Sequence, residues 1–305
     1  MSSQCHASSE VVQVPFLEER YELGAPIGAG AIGTVYTARD RVRGIRVAVK
    51  MLHERHAHDP AHLHRFSQEA SLAARMLSPH VVKVLGLAVT HEEQPCIVYE
   101  HLVGETLAEK LEREGALDVD EAADVVEQTA RGLARAHQIG VLHRDVKPDN
   151  IFLAEDTDGG TIVKLLDFGV AEAMGRPLGT ATDELVGTPE YIAPEVLFAS
   201  RPADVRSDLY GLGVVAFECL TGRCPIAGPH IDDILLATAR GERARLHELR
   251  PDFGDELAGA LEAFFTRALH EDPFWRYPTA RELAEAFREA VVLGRTRPAT
   301  RQRAA

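Results

Sequence analysis

The pattern of hydrophobic and polar positions changes about a third of the way along the chain. Between residues 21 and 99, short apolar runs alternate with turn-forming residues, and the runs at 47–49 and 97–99 are the clearest predicted strands. Apolar residues between 66 and 76 keep the spacing of a helix, so this part is predicted to contain one helix among its strands. Residues 1–20 are polar and lack a clear period, which predicts a flexible lead-in.

Beyond Gly104 the spacing of apolar residues becomes helical. A stripe runs from 122 to 136, and Gly140 lies where a glycine commonly ends a helix. The same spacing predicts further helices at 203–221, 231–241, 255–270 and 279–292. We therefore expect an α+β protein with a small antiparallel β lobe carrying one helix at about 21–100, and a larger, mainly helical lobe at about 104–288.

The charge of the chain limits the class of partner. Its 305 residues carry a net charge of −14, which argues against a protein that binds nucleic acid through bulk positive charge. The end of the chain is the exception, because four arginines and no acidic residue follow Glu289. We interpret 289–305 as a basic tail that is either a solvated end or a docking segment.

The cysteines and the longest apolar run indicate the compartment. The run from 209 to 220 is too short for a transmembrane helix, and the N-terminus lacks the basic start and apolar core of a secretory signal. Four isolated cysteines, which are typical of reduced thiols, occur at Cys5, Cys96, Cys219 and Cys224. The prediction is a cytoplasmic protein without membrane insertion.

Residues 28–33 have the glycine spacing G-x-G-x-x-G. A dinucleotide-binding loop with this spacing needs a helix directly after the third glycine. Residues 34–37, Thr-Val-Tyr-Thr, favour a strand instead, so the loop is predicted to join two strands as a flap whose backbone N–H groups can approach phosphates. A surface hairpin that binds nothing is the alternative at this point.

Lys50 and Glu69 are candidates for a buried ion pair. Lys50 ends the apolar strand Val-Ala-Val at 47–49, where an unpaired charge is costly. Glu69 lies on the predicted helix of the β-rich part. Such a pair would hold Lys50 against the α- and β-phosphates of a nucleotide. Two exposed side chains that do not meet are the alternative.

The segment His-Arg-Asp-Val-Lys-Pro-Asp-Asn at 143–150 carries the densest candidate chemistry. It lies between apolar residues, and so polar a stretch between buried strands needs a functional reason. Asp-Phe-Gly at 167–169 follows a second apolar strand. Asp145, Asn150 and Asp167 can therefore converge at two adjacent strand ends. One carboxylate is then available for a substrate hydroxyl, and the amide and second carboxylate supply the oxygen ligands that Mg²⁺ prefers.

Taken together, these segments resemble a eukaryotic-type (Hanks-type) protein serine/threonine kinase in its bacterial form, over about residues 21–288. The resemblance rests on the glycine loop at 27–35, Val-Ala-Val-Lys at 47–50, Glu69, the His-Arg-Asp loop, Asp-Phe-Gly at 167–169, Gly-Thr-Pro-Glu-Tyr at 187–191 and Ala-Pro-Glu at 193–195, continued by residues 207–211 and Arg276. It implies a two-lobed protein kinase fold, and transfer of the γ-phosphoryl of ATP to Ser or Thr of proteins, including the chain itself.

The resemblance also implies roles for individual residues. Asp145 would accept or orient the substrate hydroxyl, and Lys147 would meet the charge on the transferred phosphoryl. Asn150 and Asp167 would hold Mg²⁺, for which Mn²⁺ could substitute. The residues implied in ATP binding are Ile27, Gly28, Ala29, Gly30, Ala31, Ile32, Gly33, Thr34, Val35, Ala48, Lys50, Glu69, Glu100, Leu102 and Phe152. Tyr99 falls where a bulky side chain would limit the back of the adenine pocket.

Four further residues are implied as structural anchors. Glu195 would pair with Arg276, and Asp208 would receive backbone N–H groups of the segment at 143–150, which is the catalytic loop of the family, because buried charges persist only when paired. Thr188, together with Lys147, indicates Ser/Thr rather than Tyr specificity.

Two further features concern regulation. Thr180 and Thr182 resemble activation-loop phosphorylation sites, reached by self-association in trans; unmodified linker threonines are the alternative. Five histidines between 53 and 64 are interpreted as a solvated loop, with a metal site or a pH-sensitive segment as the alternatives.

Three rival functions are less consistent with the sequence than a protein kinase is. A catalytically weak kinase-fold scaffold would be expected to have lost Lys50, Asp145 or Asp167, and all three are present. A small-molecule kinase is disfavoured by Thr188 and by the Pro194-Glu195 segment, which suit a polypeptide substrate. A dinucleotide oxidoreductase is disfavoured by the strand predicted after the glycine loop.

Overall fold

The computed structural model describes residues 16–30, 32–156, 158–168 and 189–296. The predictions for Ala31, Thr180, Thr182 and Thr188, and for the tail beyond 296, lie outside these residues. The described chain forms two compact units. The first contains residues up to 70 together with 84–101, and the second contains 71–83 together with the residues from 102 onward.

The first unit is built on a five-stranded antiparallel sheet in the order β1-β2-β3-β5-β4. The strands are β1 (Tyr21–Ala29), β2 (Gly33–Asp40), β3 (Arg46–Leu52), β4 (Val84–Val89) and β5 (Pro95–Glu100). Both strands that were clearest in the sequence, at 47–49 and 97–99, therefore lie in neighbouring strands of this sheet.

The alternation of side chains separates the two faces of the sheet. Val47, Val49 and Val98 are fully buried in an apolar cluster that includes Leu17 and Tyr21. Because successive side chains on a strand point to opposite faces, Ala48 and Lys50 lie on the other face. The apolar face holds the sheet together, and the second face is the one that carries the candidate chemistry.

Among the described residues of this part of the chain, the helices are α1 (Leu17–Arg20), α2 (Glu54–Ala57) and α3 (Pro60–Arg75). Only α3 was predicted, because the other two span four residues each, too few to show a helical period. The interpretation of residues 1–20 as a lead-in needs correction at its end. Leu17 is completely buried in the apolar cluster, so packed structure begins before residue 20.

The second unit is mainly helical and also contains a three-stranded antiparallel sheet in the order β6-β7-β8. These strands are β6 (Gly104–Thr106), β7 (Ile151–Glu155) and β8 (Thr161–Leu165). Its helices are α4 (Leu107–Glu114), α5 (Val119–Gln138), α6 (Pro194–Leu197), α7 (Val205–Thr221), α8 (Ile231–Ala239), α9 (Leu246–Leu249), α10 (Gly254–Ala268) and α11 (Ala280–Thr296).

Helix α7 forms the centre of the second unit. Its residues from Asp208 to Phe217 are all buried, which explains why the sequence there is apolar on every side of the helix. Within the described residues, no helix combines the length and hydropathy needed to cross a membrane.

The predicted helix ends are close to the observed ones, with one difference that matters. The helix predicted at 279–292 continues to Thr296, so the first part of the segment interpreted as a basic tail is helical. Ala290 and Val291 are buried, which gives this extension its anchor.

Candidate active site

The glycine-rich segment joins β1 to β2 as a hairpin. Strand β2 begins at Gly33 itself, so the helix required by a dinucleotide-binding loop is not formed there. The Gly30 N–H donates to the Gly33 carbonyl at 2.9 Å. A Cβ on Gly33 would lie 2.5 Å from the backbone oxygen of Met51, whereas one on Gly28 would meet nothing closer than 4.0 Å. Gly33 is therefore needed for packing, and Gly28 leaves space beside the strand.

The predicted ion pair between Lys50 and Glu69 is present. The Lys50 ammonium lies 2.8 Å from Glu69 Oε1, and the two side chains are only 8% and 1% exposed. The same Glu69 oxygen accepts a second hydrogen bond, at 2.7 Å, from the hydroxyl of Tyr99. The sequence reasoning placed Tyr99 near the adenine pocket but did not foresee this contact, because nothing in the local pattern relates strand β5 to helix α3.

The strand register places three of the implied ATP-binding residues on one face. Val35 is directly opposite Lys50, and Ala48 is two residues from Lys50 on the same strand, so all three share a face of the sheet. Ala48 is also opposite Tyr99 on β5. Ile27, on β1, is 56% exposed. This face presents an apolar surface beside a buried lysine.

The remaining implied adenine contacts lie on β5 and β7 and in the segment after β5. Glu100 ends β5 opposite Val47. Leu102 lies outside the strands, in the second unit. Phe152 lies on β7 opposite Thr106 and is partly exposed. Glu100 therefore belongs to the first unit, and Leu102 and Phe152 belong to the second.

The catalytic loop brings Asp145, Lys147 and Asn150 into direct contact. Asp145 Oδ2 accepts a hydrogen bond from the side-chain amide of Asn150 at 2.8 Å and lies 2.8 Å from the Lys147 ammonium. The same Asn150 amide donates to the Asp145 carbonyl at 2.8 Å. Because the amide nitrogen makes both bonds, the orientation of the Asn150 side chain is set. The Asp145 side chain remains 43% exposed, so its carboxylate can be reached by a substrate.

Asn150 and Asp167 lie at the same end of the β7–β8 hairpin. Asn150 immediately precedes β7, and Asp167 follows the end of β8, with Ile151 paired to Leu165. The Leu166 N–H donates to the Asn150 carbonyl at 2.9 Å, which joins the two segments beyond the strands. Asp167 adopts a left-handed backbone conformation with φ +49°, a conformation that is uncommon outside glycine and often found at functional sites.

Asp208 organises the backbone of the catalytic loop from helix α7, as predicted. Its carboxylate accepts the N–H groups of His143 at 2.9 Å and Arg144 at 2.7 Å. It also lies 2.7 Å from His137 Nε2, a partner that the sequence analysis missed. Arg144 has φ +65°, so these bonds hold a strained part of the backbone in place.

His143 is completely buried and both of its ring nitrogens have backbone neighbours. Nε2 lies 2.9 Å from the Leu166 carbonyl, and Nδ1 accepts the Asp145 N–H at 3.3 Å. Nε2 must donate to a carbonyl, so the neutral Nε2–H tautomer satisfies both contacts. Burial lowers the pKa of His143 below its usual value, which favours the same neutral form. Phe168 packs on the ring with centroids 4.5 Å apart.

The predicted pair of Glu195 and Arg276 is bidentate and buried. The two nitrogen–oxygen distances are 2.9 and 2.7 Å. The other three guanidinium N–H groups donate to backbone carbonyls of His270, Arg206 and Glu271. All five donors of Arg276 are therefore used.

The segment 53–64, interpreted as a solvated loop, instead forms α2 and the beginning of α3, and three of its histidines contact one another or polar neighbours. The rings of His56 and His62 stack with centroids 4.2 Å apart. His53 Nε2 lies 3.1 Å from the Thr34 hydroxyl, and His62 lies 2.7 Å from Asp59. Across the described ranges, no group of three or more His, Cys, Asp or Glu side chains could hold a metal ion.

Comparison with known proteins identifies the family. A model of the protein kinase domain matches residues 21–287. The chain is 36% identical over 289 residues to the serine/threonine-protein kinase PknA of Corynebacterium glutamicum, covering 92% of this chain and 58% of the relative. It is 33% identical over 271 residues to PrkC of Bacillus subtilis, covering 89% of this chain and 40% of that protein. The chain thus spans about half the length of the curated relatives it matches.

Solved structures agree with this assignment. The kinase domain of Mycobacterium tuberculosis PknI matches with a TM-score of 0.67 at 28% identity, covering 88% of this chain and 95% of that domain. The architecture is accordingly the protein kinase fold, with an antiparallel sheet and a helix in the first unit and a larger helical second unit. The two relatives named above are bacterial serine/threonine protein kinases, and the chain itself belongs to the protein kinase domain family.

Proposed function

We propose that this chain transfers the γ-phosphoryl of ATP to Ser or Thr hydroxyl groups of proteins. Membership of the protein kinase family implies the use of ATP and of protein substrates. The observation that carries the proposal is the catalytic loop. There the partly exposed Asp145 carboxylate is oriented by Asn150 and Lys147. The backbone of the same loop is held by hydrogen bonds to the Asp208 carboxylate. Phosphoryl transfer depends mainly on positioning and charge stabilisation, and this loop provides both.

Residues of the first unit are proposed to bind ATP. Gly28 and Gly30 would let backbone N–H groups approach the phosphates, since a Cβ there meets no protein atom closer than 4.0 and 3.8 Å. Lys50, held by Glu69, would contact the α- and β-phosphates. The apolar face formed by Val35 and Ala48 suits one side of an adenine ring.

Asn150 and Asp167 are proposed to hold Mg²⁺. The donor chemistry fits, because the Asn150 amide nitrogen is already bonded twice to Asp145, which leaves the amide oxygen as the group available to a cation. Asp167 contributes a carboxylate from the same end of the hairpin, and Mg²⁺ prefers such oxygen ligands. When bound, the ion would neutralise charge on the phosphates.

Asp145 is proposed as the catalytic residue that receives the substrate hydroxyl. Within the described residues, the structure shows hydrogen bonds to its side chain only at Oδ2, which leaves Oδ1 for the incoming hydroxyl. The hydroxyl oxygen forms a bond to the γ-phosphorus while the bond to the leaving ADP oxygen breaks, and the hydroxyl proton passes to the carboxylate. Lys147, 2.8 Å from Asp145, offsets negative charge at the point of transfer.

Specificity and regulation are part of the same proposal. Lys147 and Thr188 favour Ser or Thr as the acceptor. Self-association would allow phosphorylation of Thr180 and Thr182 in trans, with Arg144 as a partner for the new phosphate. The need for ATP and the isolated cysteines support a cytoplasmic location for this domain.

The decisive experiment compares the purified wild-type chain with Asp145→Asn. Each is incubated with labelled ATP, Mg²⁺ and a generic protein substrate, and the phosphorylated residues are mapped. We expect label on Ser and Thr with the wild type and a loss of label of at least about a hundredfold with Asp145→Asn. Equal label in the two proteins would contradict the assignment. A parallel incubation replaces the protein with a panel of metabolites, and label found only on metabolites would contradict the protein substrate.

A further inference from the structure

Tyr99 contacts the Lys50–Glu69 pair at the oxygen that forms the ion pair. Its hydroxyl donates to Glu69 Oε1 at 2.7 Å, and the Lys50 ammonium lies 2.8 Å from the same atom. Tyr99 is 7% exposed and Glu69 is 2% exposed. Hydrogen bonds to a buried carboxylate are stronger than those between neutral groups, so this contact is energetically significant.

The two donors and the acceptor come from different kinds of element. Lys50 is on β3 and Tyr99 is on β5, which pair in register with Ala48 opposite Tyr99. Glu69 is on helix α3. Two neighbouring strands of one sheet thus present both donors in a set arrangement, and the helix brings the acceptor. Displacing Glu69 therefore requires the hydrogen bond from Tyr99 to break as well as the ion pair with Lys50.

We propose that Tyr99 is a positioning residue that tethers Glu69 and thereby keeps Lys50 in place for ATP. This inference rests on the proposed kinase function, in which the lysine–glutamate pair must be formed for catalysis. The Tyr99 hydroxyl and the Tyr99 ring then have different roles. The ring limits the space beside Ala48, and the hydroxyl determines where the Glu69 carboxylate lies.

Tyr99→Phe tests the tether because it removes the hydroxyl and keeps the ring. The first readout is the rate at which acetic anhydride acetylates Lys50, measured by mass spectrometry against the other lysines of the same sample without nucleotide. We expect that rate to rise about threefold or more, because Lys50 spends more time away from Glu69. The second readout is kcat/KM for ATP, which should fall about tenfold, the effect of losing one hydrogen bond to a charged group.

Tyr21→Phe is the matched control. Tyr21 is also a buried tyrosine of the same sheet, at 3% exposure, but it packs in the apolar cluster with Val47 and Val49. Tyr21→Phe should leave the Lys50 acetylation rate and kcat/KM for ATP within twofold of the wild type. In a Glu69→Ala background, Tyr99→Phe should add nothing to the acetylation rate, because the acceptor is gone.

The outcomes separate the tether from the kinase function. An active wild type, with unchanged Lys50 acetylation and unchanged kcat/KM in Tyr99→Phe, overturns the tether alone. A lower kcat/KM and a lower melting temperature, without faster acetylation of Lys50, show a general packing role and also overturn it. If the wild type transfers no phosphate but Lys50 is acetylated faster in Tyr99→Phe, the tether is supported and the kinase function is contradicted.

Discussion

The two units each contain a buried ion pair, and the pairs are built differently. In the second unit, Arg276 uses all five guanidinium donors on Glu195 and three backbone carbonyls. In the first unit, Lys50 meets Glu69 as a point charge at one oxygen, which it shares with Tyr99. A planar, fully bonded guanidinium is suited to holding a fold, whereas an ammonium can exchange its contacts with a ligand. Burial alone therefore does not distinguish a structural ion pair from a functional one.

The largest effect is expected from breaking the Glu195–Arg276 pair. Arg276→Met should lower the free energy of unfolding by about 3–5 kcal/mol, because it leaves the Glu195 carboxylate buried without its counter-ion. Urea unfolding of the isolated chain measures this. Arg201→Met is the control, since Arg201 is 58% exposed in its pair with Asp272 and should cost less than about 1 kcal/mol.

A second variant sharpens that test. Adding Glu195→Gln to Arg276→Met removes the buried charge and should recover part of the lost stability. A double variant that is less stable than Arg276→Met would contradict the view that the uncompensated carboxylate is the main cost.

Breaking the Lys50–Glu69 pair should act mainly on catalysis. Lys50→Met is expected to lower kcat/KM for ATP by roughly 10²–10³-fold, the scale for removing one preorganised charge-stabilising donor. Unfolding free energy should fall less than in Arg276→Met, because Tyr99 still donates to Glu69. Steady-state kinetics and urea unfolding of the same preparations check both statements. Equal losses of stability in Lys50→Met and Arg276→Met would contradict the view that the Arg276 pair is mainly structural and the Lys50 pair mainly functional.

The glycine hairpin contains the same distinction between holding the fold and leaving room for a ligand. Gly33→Ala should destabilise the chain by about 1–3 kcal/mol, because its Cβ would lie 2.5 Å from the Met51 backbone oxygen. Gly28→Ala has room for the new methyl group and should change stability by less than about 1 kcal/mol while weakening ATP binding. Thermal unfolding and nucleotide titration distinguish the two; a stable Gly33→Ala would contradict the close approach.

The smallest effect concerns two buried neutral histidines of the second unit. Burial lowers the pKa of both His80 and His143 below the usual 6.5. The unfolded chain therefore binds more protons than the native chain below about pH 6.5. The contribution of the two neutral histidines to the free energy of unfolding should be fully present above that pH. It should fall on acidification towards pH 5, by at most about 1.4 kcal/mol per pH unit for each histidine.

His80→Gln checks this pH dependence, because its amide can still donate to the Val163 carbonyl that His80 contacts at 3.1 Å. The pH slope of the unfolding free energy should decrease in this variant. His247→Gln, at an exposed position of the same unit, should keep the wild-type slope. An unchanged slope in His80→Gln would assign the acid sensitivity elsewhere.

Much of this protein could be predicted from sequence because its chemistry lies in short ordered motifs. Asp145, Lys147 and Asn150 are within six residues of one another, so their contact follows from one local turn. The strands at 47–49 and 97–99 and helices α5, α8, α10 and α11 follow from the period of apolar residues, which reports which face is buried. Helix α7 was also predicted, although it is apolar on every side, whereas α6 and α9 were not predicted. The short helix at Leu17 was missed because four residues show no period.

What the sequence by itself determined, then, is the order of elements, the family and the residue types available for chemistry. Only the tertiary structure decided which groups meet across long separations: Tyr99 with Glu69, His137 with Asp208, and Arg276 with three backbone carbonyls. The physical reason is that periodicity encodes burial along one element, whereas a hydrogen bond between elements depends on strand register and helix placement. Those are set by the packing of the whole unit, and a single sequence does not record them.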